Sequence, residues 1–181
     1  MFVFPLSIAP KEHWRRSGLR FGDPRTSKDP KTGETTKRRH AGCDLMTSAG
    51  AEVRAVTSGK VTELIRDFRN GTSAVVIRHD VPPLACDILY GEIVPLIKPG
   101  DTVFAGEVIG RVQRHPSGGA MLHLELYRKG PGVKASVLTA NKAGFKRRSD
   151  LQDPADLLDL LFLMARPKQA PESMKVHEVS F

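Results

Sequence analysis

Apolar and polar positions alternate over short distances through the middle of the chain. The apolar runs are β-prone and are separated by glycine or proline, which is typical of strands. Asn70-Gly71 is a strong hairpin pattern, and Lys98-Pro99-Gly100-Asp101 is another turn. The predicted strands cover residues 52–57, 59–67, 73–79, 86–94, 102–104, 107–114 and 120–128. This pattern predicts a mainly β fold, an antiparallel β-sandwich or open barrel.

The last of these runs has a clear alternation of side chains. Leu122, Leu124 and Leu126 fall on one face, which we expect to pack in the core. Met121, His123 and Glu125 fall on the opposite face, so His123 is predicted to point away from the core. Tyr90 and Glu92 are also two residues apart and are predicted to share a face.

The carboxy-terminal part predicts a single helix. Asp153 is a typical N-cap and Pro154 suits the first helical position. A leucine-rich run then predicts a helix over Ala155–Ala165 that packs on the sheet, and Arg166-Pro167 ends it. We expect one domain with five parts: an extended lead-in (1–18), a β core (19–128), a basic loop (129–150), the helix region (151–167) and a poorly ordered tail (168–181). Trp14 is interpreted as a packing anchor.

Composition changes this picture mainly through charge. The 181 residues include 40% apolar residues, ordinary for a globular protein, but carry a net charge of +8. The charge indicates either a solvated basic surface or attraction to a polyanion. No nucleic-acid-binding motif accompanies it, so a nucleic-acid partner is not expected. Two cysteines, Cys43 and Cys86, are too few for a disulfide framework.

The amino terminus is apolar but lacks a basic region and is interrupted by Pro5 and Pro10. It is therefore not interpreted as a signal peptide, and no run of apolar residues is long enough to predict a membrane span. We expect synthesis in the cytoplasm. Action on the periplasm or cell wall would need delivery by a non-classical route.

The candidate chemistry lies in Arg39-His40-Ala41-Gly42-Cys43-Asp44 and in Met121-Leu122-His123-Leu124-Glu125. Two imidazoles and one carboxylate leave a tetrahedral zinc ion one open position, as in a catalytic site. On an extended strand His40 and Asp44 would be roughly 13 Å apart, at about 3.3 Å per residue. Both can hold one ion only if the backbone bends, and Gly42 permits a bend. Taken alone, His40 and Asp44 would be interpreted as a surface pair rather than as metal ligands.

The chain resembles the lysostaphin-type (LytM-like) zinc endopeptidases, which cut peptidoglycan cross-bridges. The resemblance spans residues 18–127 in the family's order. The motifs that carry it are Arg20-Phe21-Gly22, His40-Ala41-Gly42-Cys43-Asp44, Gly50-Ala51-Glu52-Val53-Arg54-Ala55, Gly59-Lys60-Val61, Leu89-Tyr90-Gly91-Glu92, Lys98-Pro99-Gly100-Asp101, Gly106-Glu107-Val108-Ile109-Gly110 and Leu122-His123-Leu124-Glu125. It implies one zinc ion held by His40, Asp44 and His123. It also implies a substrate groove bordered by a long loop over residues 23–39, whose basic residues are Arg25, Lys28, Lys31, Lys37, Arg38 and Arg39.

The chain departs from this family at two helper histidines, which are replaced by Glu92 and Met121. A carboxylate beside zinc-bound water can accept its proton, so Glu92 is the candidate general base. Tyr90 is the candidate oxyanion donor, Met121 can only pack beside the site, and Glu125 is expected to orient a ligand or to face solvent. The remaining histidines (His13, His79, His115 and His177) match no ligand position.

The resemblance implies a zinc-dependent endopeptidase that acts on peptidoglycan, and the basic charge favours an anionic wall polymer as its partner. The alternative is a degenerate member that binds the cell wall, or regulates a partner hydrolase, without cutting. A third possibility makes Glu92 a fourth ligand of a structural zinc ion.

Overall fold

The computed structural model of the chain describes residues 1–28, 33, 35–69, 71–116, 118–128, 144, 145 and 147–165. Within these residues the chain forms eleven strands and one helix. The elements are β1 (Pro24–Lys28), β2 (Thr35–Arg39), β3 (Cys43–Met46), β4 (Glu52–Arg54), β5 (Gly59–Arg69), β6 (Thr72–Val81), β7 (Leu84–Pro95), β8 (Thr102–Val103), β9 (Val108–Val112), β10 (Met121–Arg128), β11 (Leu151–Gln152) and α1 (Ala155–Ala165).

The strands form a small hairpin and one large sheet. β1 pairs with β2, and the other nine strands form a sheet with the central order β11-β10-β7-β6-β5-β8. β3 lies against β10, and β9 joins β4 to β7. Each of these pairings is antiparallel, and the sheet stays open instead of closing into a barrel. The predicted fold class, mainly β and antiparallel with one helix, is confirmed.

The central strand β10 is buried on both faces. Leu122 and Leu124 pack in the main core, together with Val75, Ile77 and Ile88 of the neighbouring strands. Tyr127 lies on the other face in a smaller apolar cluster, whose members are Ala41, Ala74, Val76, Leu89, Tyr127, Phe145 and Leu151. His123 therefore points away from the main core, as predicted, but this second face is covered and His123 is only 1% exposed.

The helix has the predicted bounds. The backbone N–H of Ala155 donates to Asp153 Oδ1 at 2.9 Å, so Asp153 caps its first turn. Leu158 and Leu161 are buried in the main core. Trp14 packs against Phe162 and donates its indole N–H to Asp159 at 2.9 Å, which confirms it as a packing anchor. In the described part of the chain, no helix combines the length and the apolar character needed to cross a membrane.

The prediction of a long loop over residues 23–39 is wrong in part, because this stretch contains the hairpin of β1 and β2. Apart from Pro24, its strands consist of threonine, serine, lysine and arginine, so they have no apolar face that a hydrophobic pattern could detect. β3 and β11 were also not predicted, since each is short and lies beside a turn.

Several predicted features lie outside the described residues. These are Asn70 of the predicted hairpin turn, Lys31, the stretch 129–143 of the basic loop and the tail 168–181. The hairpin itself is present, since Arg69 of β5 pairs with Thr72 of β6. The division of the chain into five parts stays a prediction.

Candidate metal centre

His40 follows β2 directly and is held in place by the segment that precedes β1. Its backbone N–H donates to Asp23 O at 2.8 Å, and its Nδ1–H donates to Arg20 O at 2.8 Å. A neutral imidazole that donates from Nδ1 keeps Nε2 as a lone-pair ligand. Burial lowers the pKa of His40, and this favours the neutral form that binds metals.

Asp44 and His123 are delivered by two paired strands. They are direct cross-strand partners between β3 and β10, so their side chains share one face of the sheet. His123 Nδ1 lies 2.8 Å from Asp44 Oδ1. Burial opposes charge on His123, but hydrogen bonds to Asp44 and Glu125 outweigh it and raise the pKa of His123. The pKa of Asp44 is lowered: burial acts against the shift, and the hydrogen bonds of His123 and His40 dominate.

These three residues, the ligand triad, offer a set of donors that fits a metal ion. His40 Nε2 lies 3.1 Å from Asp44 Oδ1 and 3.2 Å from His123 Nδ1. A tetrahedral zinc ion with bonds of about 2.0–2.1 Å separates its ligand atoms by about 3.3 Å. The triangle of donors therefore matches one face of a zinc tetrahedron with little movement, and all three residues are buried.

Gly42 allows the chain to bring His40 and Asp44 together, although not through a left-handed backbone. The chain bends at Gly42, as predicted. A Cβ atom at this position would lie 2.2 Å from Leu124 O and 3.1 Å from the His123 ring. Glycine is needed because the bend passes directly over β10, where a methyl group has no room.

Glu125 fixes the ring orientation of His123 through a hydrogen bond. It accepts the Nε2–H of His123 at 3.0 Å, and this leaves His123 Nδ1 free to face Asp44. Tyr127 donates its hydroxyl to the same carboxylate, and Arg147 Nε lies 3.0 and 3.1 Å from its two oxygens. Burial works against ionisation, but the bond with His123 and the charge of Arg147 lower the pKa of Glu125 to about 2. Glu125 is fully buried, so the alternative that it faces solvent is wrong.

Glu92 sits where β7 departs from regular geometry. The pairing of β6 with β7 shifts register at this point, and Glu92 has a φ of 63°, in the left-handed region. Such a conformation is uncommon for a residue other than glycine and is unfavourable by roughly 1–2 kcal/mol. Burial raises the pKa of Glu92, and the charges of His123 and Asp44 also act on it. Glu92 is thus a buried carboxylate near the triad, but it is not part of the three-residue donor group.

The predicted position of Tyr90 is wrong. Tyr90 does not share a face with Glu92, because the irregularity in β7 breaks the alternation between them. Its side chain lies in the main core, where its hydroxyl accepts the Val56 N–H at 3.1 Å and lies 3.2 Å from His79 Nε2. Tyr90 therefore cannot serve as the oxyanion donor. The same contact gives His79 a structural role, and its Nδ1–H donates to Ser58 O.

Met121 lies on β10 near this site and has no ionisable group. It pairs across the strands with Met46 and is half-buried. Its position two residues before His123 on the same strand agrees with a packing role beside the triad.

Four arginines lie near the triad, and we call them the arginine group: Arg25, Arg38, Arg69 and Arg147. Arg25 donates to Asp44 Oδ2 at 3.2 Å and is the cross-strand partner of Arg38. The Arg147 guanidinium lies 5.9 Å above the Phe68 ring, whose centroid is 5.8 Å from that of His123. The sequence pattern does not identify Arg69 and Phe68, because nothing in their spacing links β5 to the ligand positions.

Comparisons with known proteins agree with this geometry. The model of the family described as Peptidase family M23 matches residues 38–135, more than half of the chain and all three triad residues. No curated protein matches the chain.

Solved structures share the fold. The catalytic domain of the antimicrobial peptidase lysostaphin from Staphylococcus simulans is 20% identical with a TM-score of 0.54, covering 80% of this chain and 92% of that domain. A zinc-containing peptidase from Vibrio cholerae is 24% identical with a TM-score of 0.54, covering 85% of this chain and 39% of the longer protein. A chain of the SpoIIQ–SpoIIIAH pore-forming complex is 18% identical with a TM-score of 0.50, covering 72% of this chain and 69% of that one.

Proposed function

We propose a function from one premise: the chain belongs to peptidase family M23. The function is zinc-dependent hydrolysis of peptide bonds in peptidoglycan. The observation that carries it is the ligand triad, whose donor atoms all lie within 4.8 Å of one another. Two proteins of the same fold are named as an antimicrobial peptidase and as a zinc-containing peptidase, which supports this choice of metal and chemistry.

His40, Asp44 and His123 would hold the ion through Nε2, Oδ1 and Nδ1. A zinc ion bound there would supply a Lewis acid for peptide hydrolysis. Glu125 and the Arg20 carbonyl fix the tautomers of the two imidazoles, so each presents its lone pair to the same point.

Glu92 is the proposed general base, which accepts a proton from the attacking water molecule. Two features support this role. Its backbone occupies an unfavourable conformation, and its carboxylate is buried next to the triad with a raised pKa. Both features oppose stability, and such features concentrate at functional sites. A raised pKa also makes a carboxylate a stronger base, as general-base catalysis near neutral pH requires.

The first test measures zinc binding independently of activity. Purified protein should carry about one zinc ion per chain, measured by atomic absorption after dialysis. His123→Ala should lose it, because two protein ligands make a poor site. His13→Ala, which changes an exposed histidine, is the matched control and should retain the ion. Unchanged zinc content in His40→Ala, Asp44→Ala and His123→Ala would refute the metal centre.

Hydrolysis is tested by incubating the protein with peptidoglycan and identifying released fragments by mass spectrometry. Glu92→Gln should lower the rate on the order of 10²–10⁴-fold while zinc content is unchanged. Glu12→Gln, at a half-buried position in an ion pair with Arg16, should have no effect on the rate. A loss of zinc in Glu92→Gln would instead favour Glu92 as a fourth ligand.

The replacement of both helper histidines favours one alternative function, in which the protein binds the cell wall or a partner hydrolase without cutting. This alternative predicts that no variant releases fragments and that Glu92→Gln binds sacculi as well as the unchanged protein does.

A further inference from the structure

The arginine group concentrates positive charge on one side of the ligand triad. Arg38 precedes His40 by two residues on an extended segment, so the two side chains share a face. Arg25 lies directly across the hairpin from Arg38 and reaches Asp44. Arg147 reaches Glu125, so three of the four arginines are tied to the triad or its support through contacts or strand register.

Arg69 completes the group from another element. It ends β5 directly after Phe68, whose ring lies beside His123. Burial lowers the pKa of Arg69, while the carboxylates of Glu92, Asp44 and Glu125 act in the opposite direction. Arg69 is therefore near the same carboxylates as the rest of the group.

Two of these guanidiniums have no counter-charge of their own. Arg25 and Arg147 form ion pairs with Asp44 and Glu125. Among the described residues, the Arg38 and Arg69 guanidiniums have no hydrogen-bond or ion-pair partner. Arg38 lies directly across the hairpin from Arg25, so two guanidinium-bearing residues are neighbours here and only Arg25 has an ion-pair partner among the described residues.

The arginine group carries an excess of positive charge, which favours binding of an anion. The four arginines outnumber the three nearby carboxylates, Asp44, Glu92 and Glu125, and a bound divalent cation would widen the excess. Guanidinium groups are flat forks of donors that match carboxylates and phosphates in pairs. We propose that the arginine group binds a free carboxylate of the peptide substrate, next to the bond that is cut.

This inference rests on the proposed function for its choice of anion, because a peptide substrate brings carboxylates to the site. In this proposal, Arg38 and Arg69 determine substrate specificity. The enzyme would prefer peptides with a free carboxylate close to the scissile bond over the same peptides with that group amidated.

Binding tests the inference without relying on catalysis. The probes are acetyl-glycyl-glycine and its carboxamide, titrated into zinc-loaded and chelator-treated protein and followed by nuclear magnetic resonance. The free acid should bind at least about tenfold more tightly than the amide, as expected for charge-assisted hydrogen bonds. Arg38→Gln and Arg69→Gln should each remove most of this preference in both forms. Chelator-treated protein excludes direct ligation of the acid to zinc as the cause.

The matched control is Arg66→Gln, which makes the same charge change on the same strand at an exposed position. It lines a separate depression with Leu64, Val94 and Leu96 and should keep the preference. Equal binding of acid and amide, or a preference that survives in Arg38→Gln and Arg69→Gln, would overturn the proposal. So would a site that binds inorganic phosphate but not the peptide acid.

The peptidase function and the carboxylate site can be refuted independently of each other. Hydrolysis of peptidoglycan without discrimination between acid and amide leaves the function standing and removes the carboxylate site. Acid-selective binding without any hydrolysis supports the carboxylate site and removes the peptidase function.

Discussion

A single methyl group at residue 42 decides whether the two halves of the metal centre can meet. Gly42 lies over β10 so closely that an alanine Cβ would stand 2.2 Å from Leu124 O. Gly42→Ala should therefore separate β3 from β10 and lower the free energy of unfolding by about 3 kcal/mol or more. Zinc content should fall as well, since Asp44 and His123 lie on these two strands.

Gly119→Ala is the matched control for Gly42→Ala. Nothing lies within 4 Å of its added Cβ, and its backbone is outside the left-handed region. Its unfolding free energy should change by less than about 0.5 kcal/mol in urea denaturation. Equal effects of the two substitutions would contradict the close approach at Gly42.

The buried carboxylate of Glu92 predicts that the free energy of unfolding depends on pH. Burial raises the pKa of Glu92 in the folded chain above its unfolded value, so the ionised form destabilises the fold at pH values above both. Glu92→Gln removes that charge and should raise the free energy of unfolding of chelator-treated protein at pH 7 by on the order of 1 kcal/mol. The gain should shrink as the pH falls into the range where Glu92 is protonated in both states. A wild-type protein more stable than Glu92→Gln at neutral pH would contradict this.

The sequence was enough to predict which three candidate ligands come together, but not what surrounds them. His40, Asp44 and His123 were found from residue types and from a collinear resemblance. Tyr90 was misplaced because a β-bulge at Glu92 shifts the alternation by one residue, and no residue type marks such a bulge. Arg69 was missed because its approach to the site depends on the pairing of β5, β6 and β7, which lies beyond local pattern.

At the scale of elements, amphipathic segments were predictable and polar ones were not. The helix α1 was found with its bounds, because its cap and its leucines are both local features. The hairpin of β1 and β2 was predicted as loop, since it buries no regular apolar stripe. Yet this hairpin delivers Arg25, Arg38 and, directly after it, His40, so an element without a hydrophobic pattern carries part of the site.

The packing of α1 predicts how two leucine substitutions change the free energy of unfolding. Leu158 is fully buried against the sheet, while Leu160 is 56% exposed on the same helix. Leu158→Ala should lower the free energy of unfolding by about 2–5 kcal/mol. Leu160→Ala makes the same change in helix propensity and should stay within about 0.5 kcal/mol, as measured by urea denaturation. Similar losses in both variants would mean that α1 does not pack as described.

At the scale of the whole molecule, the fold positions the triad, while the net charge governs long-range attraction. The open antiparallel sheet presents the triad on its second face, beneath the basic hairpin and Arg147. The net charge of +8 acts over longer distances and does not depend on this arrangement. Binding to an anionic wall polymer is therefore separable from cutting, and each needs its own measurement.

The net charge predicts that wall binding depends on salt. Exposed charges are screened over about 10 Å at 0.1 M salt and about 30 Å at 0.01 M, so long-range attraction weakens as salt rises. The fraction of protein that sediments with peptidoglycan sacculi should therefore fall steeply between low and physiological ionic strength. Glu12→Lys raises the net charge by two at a half-buried position on the amino-terminal segment and should strengthen binding at low salt but not at high salt. Salt-insensitive binding, or no response to Glu12→Lys, would assign wall binding to specific contacts instead of net charge.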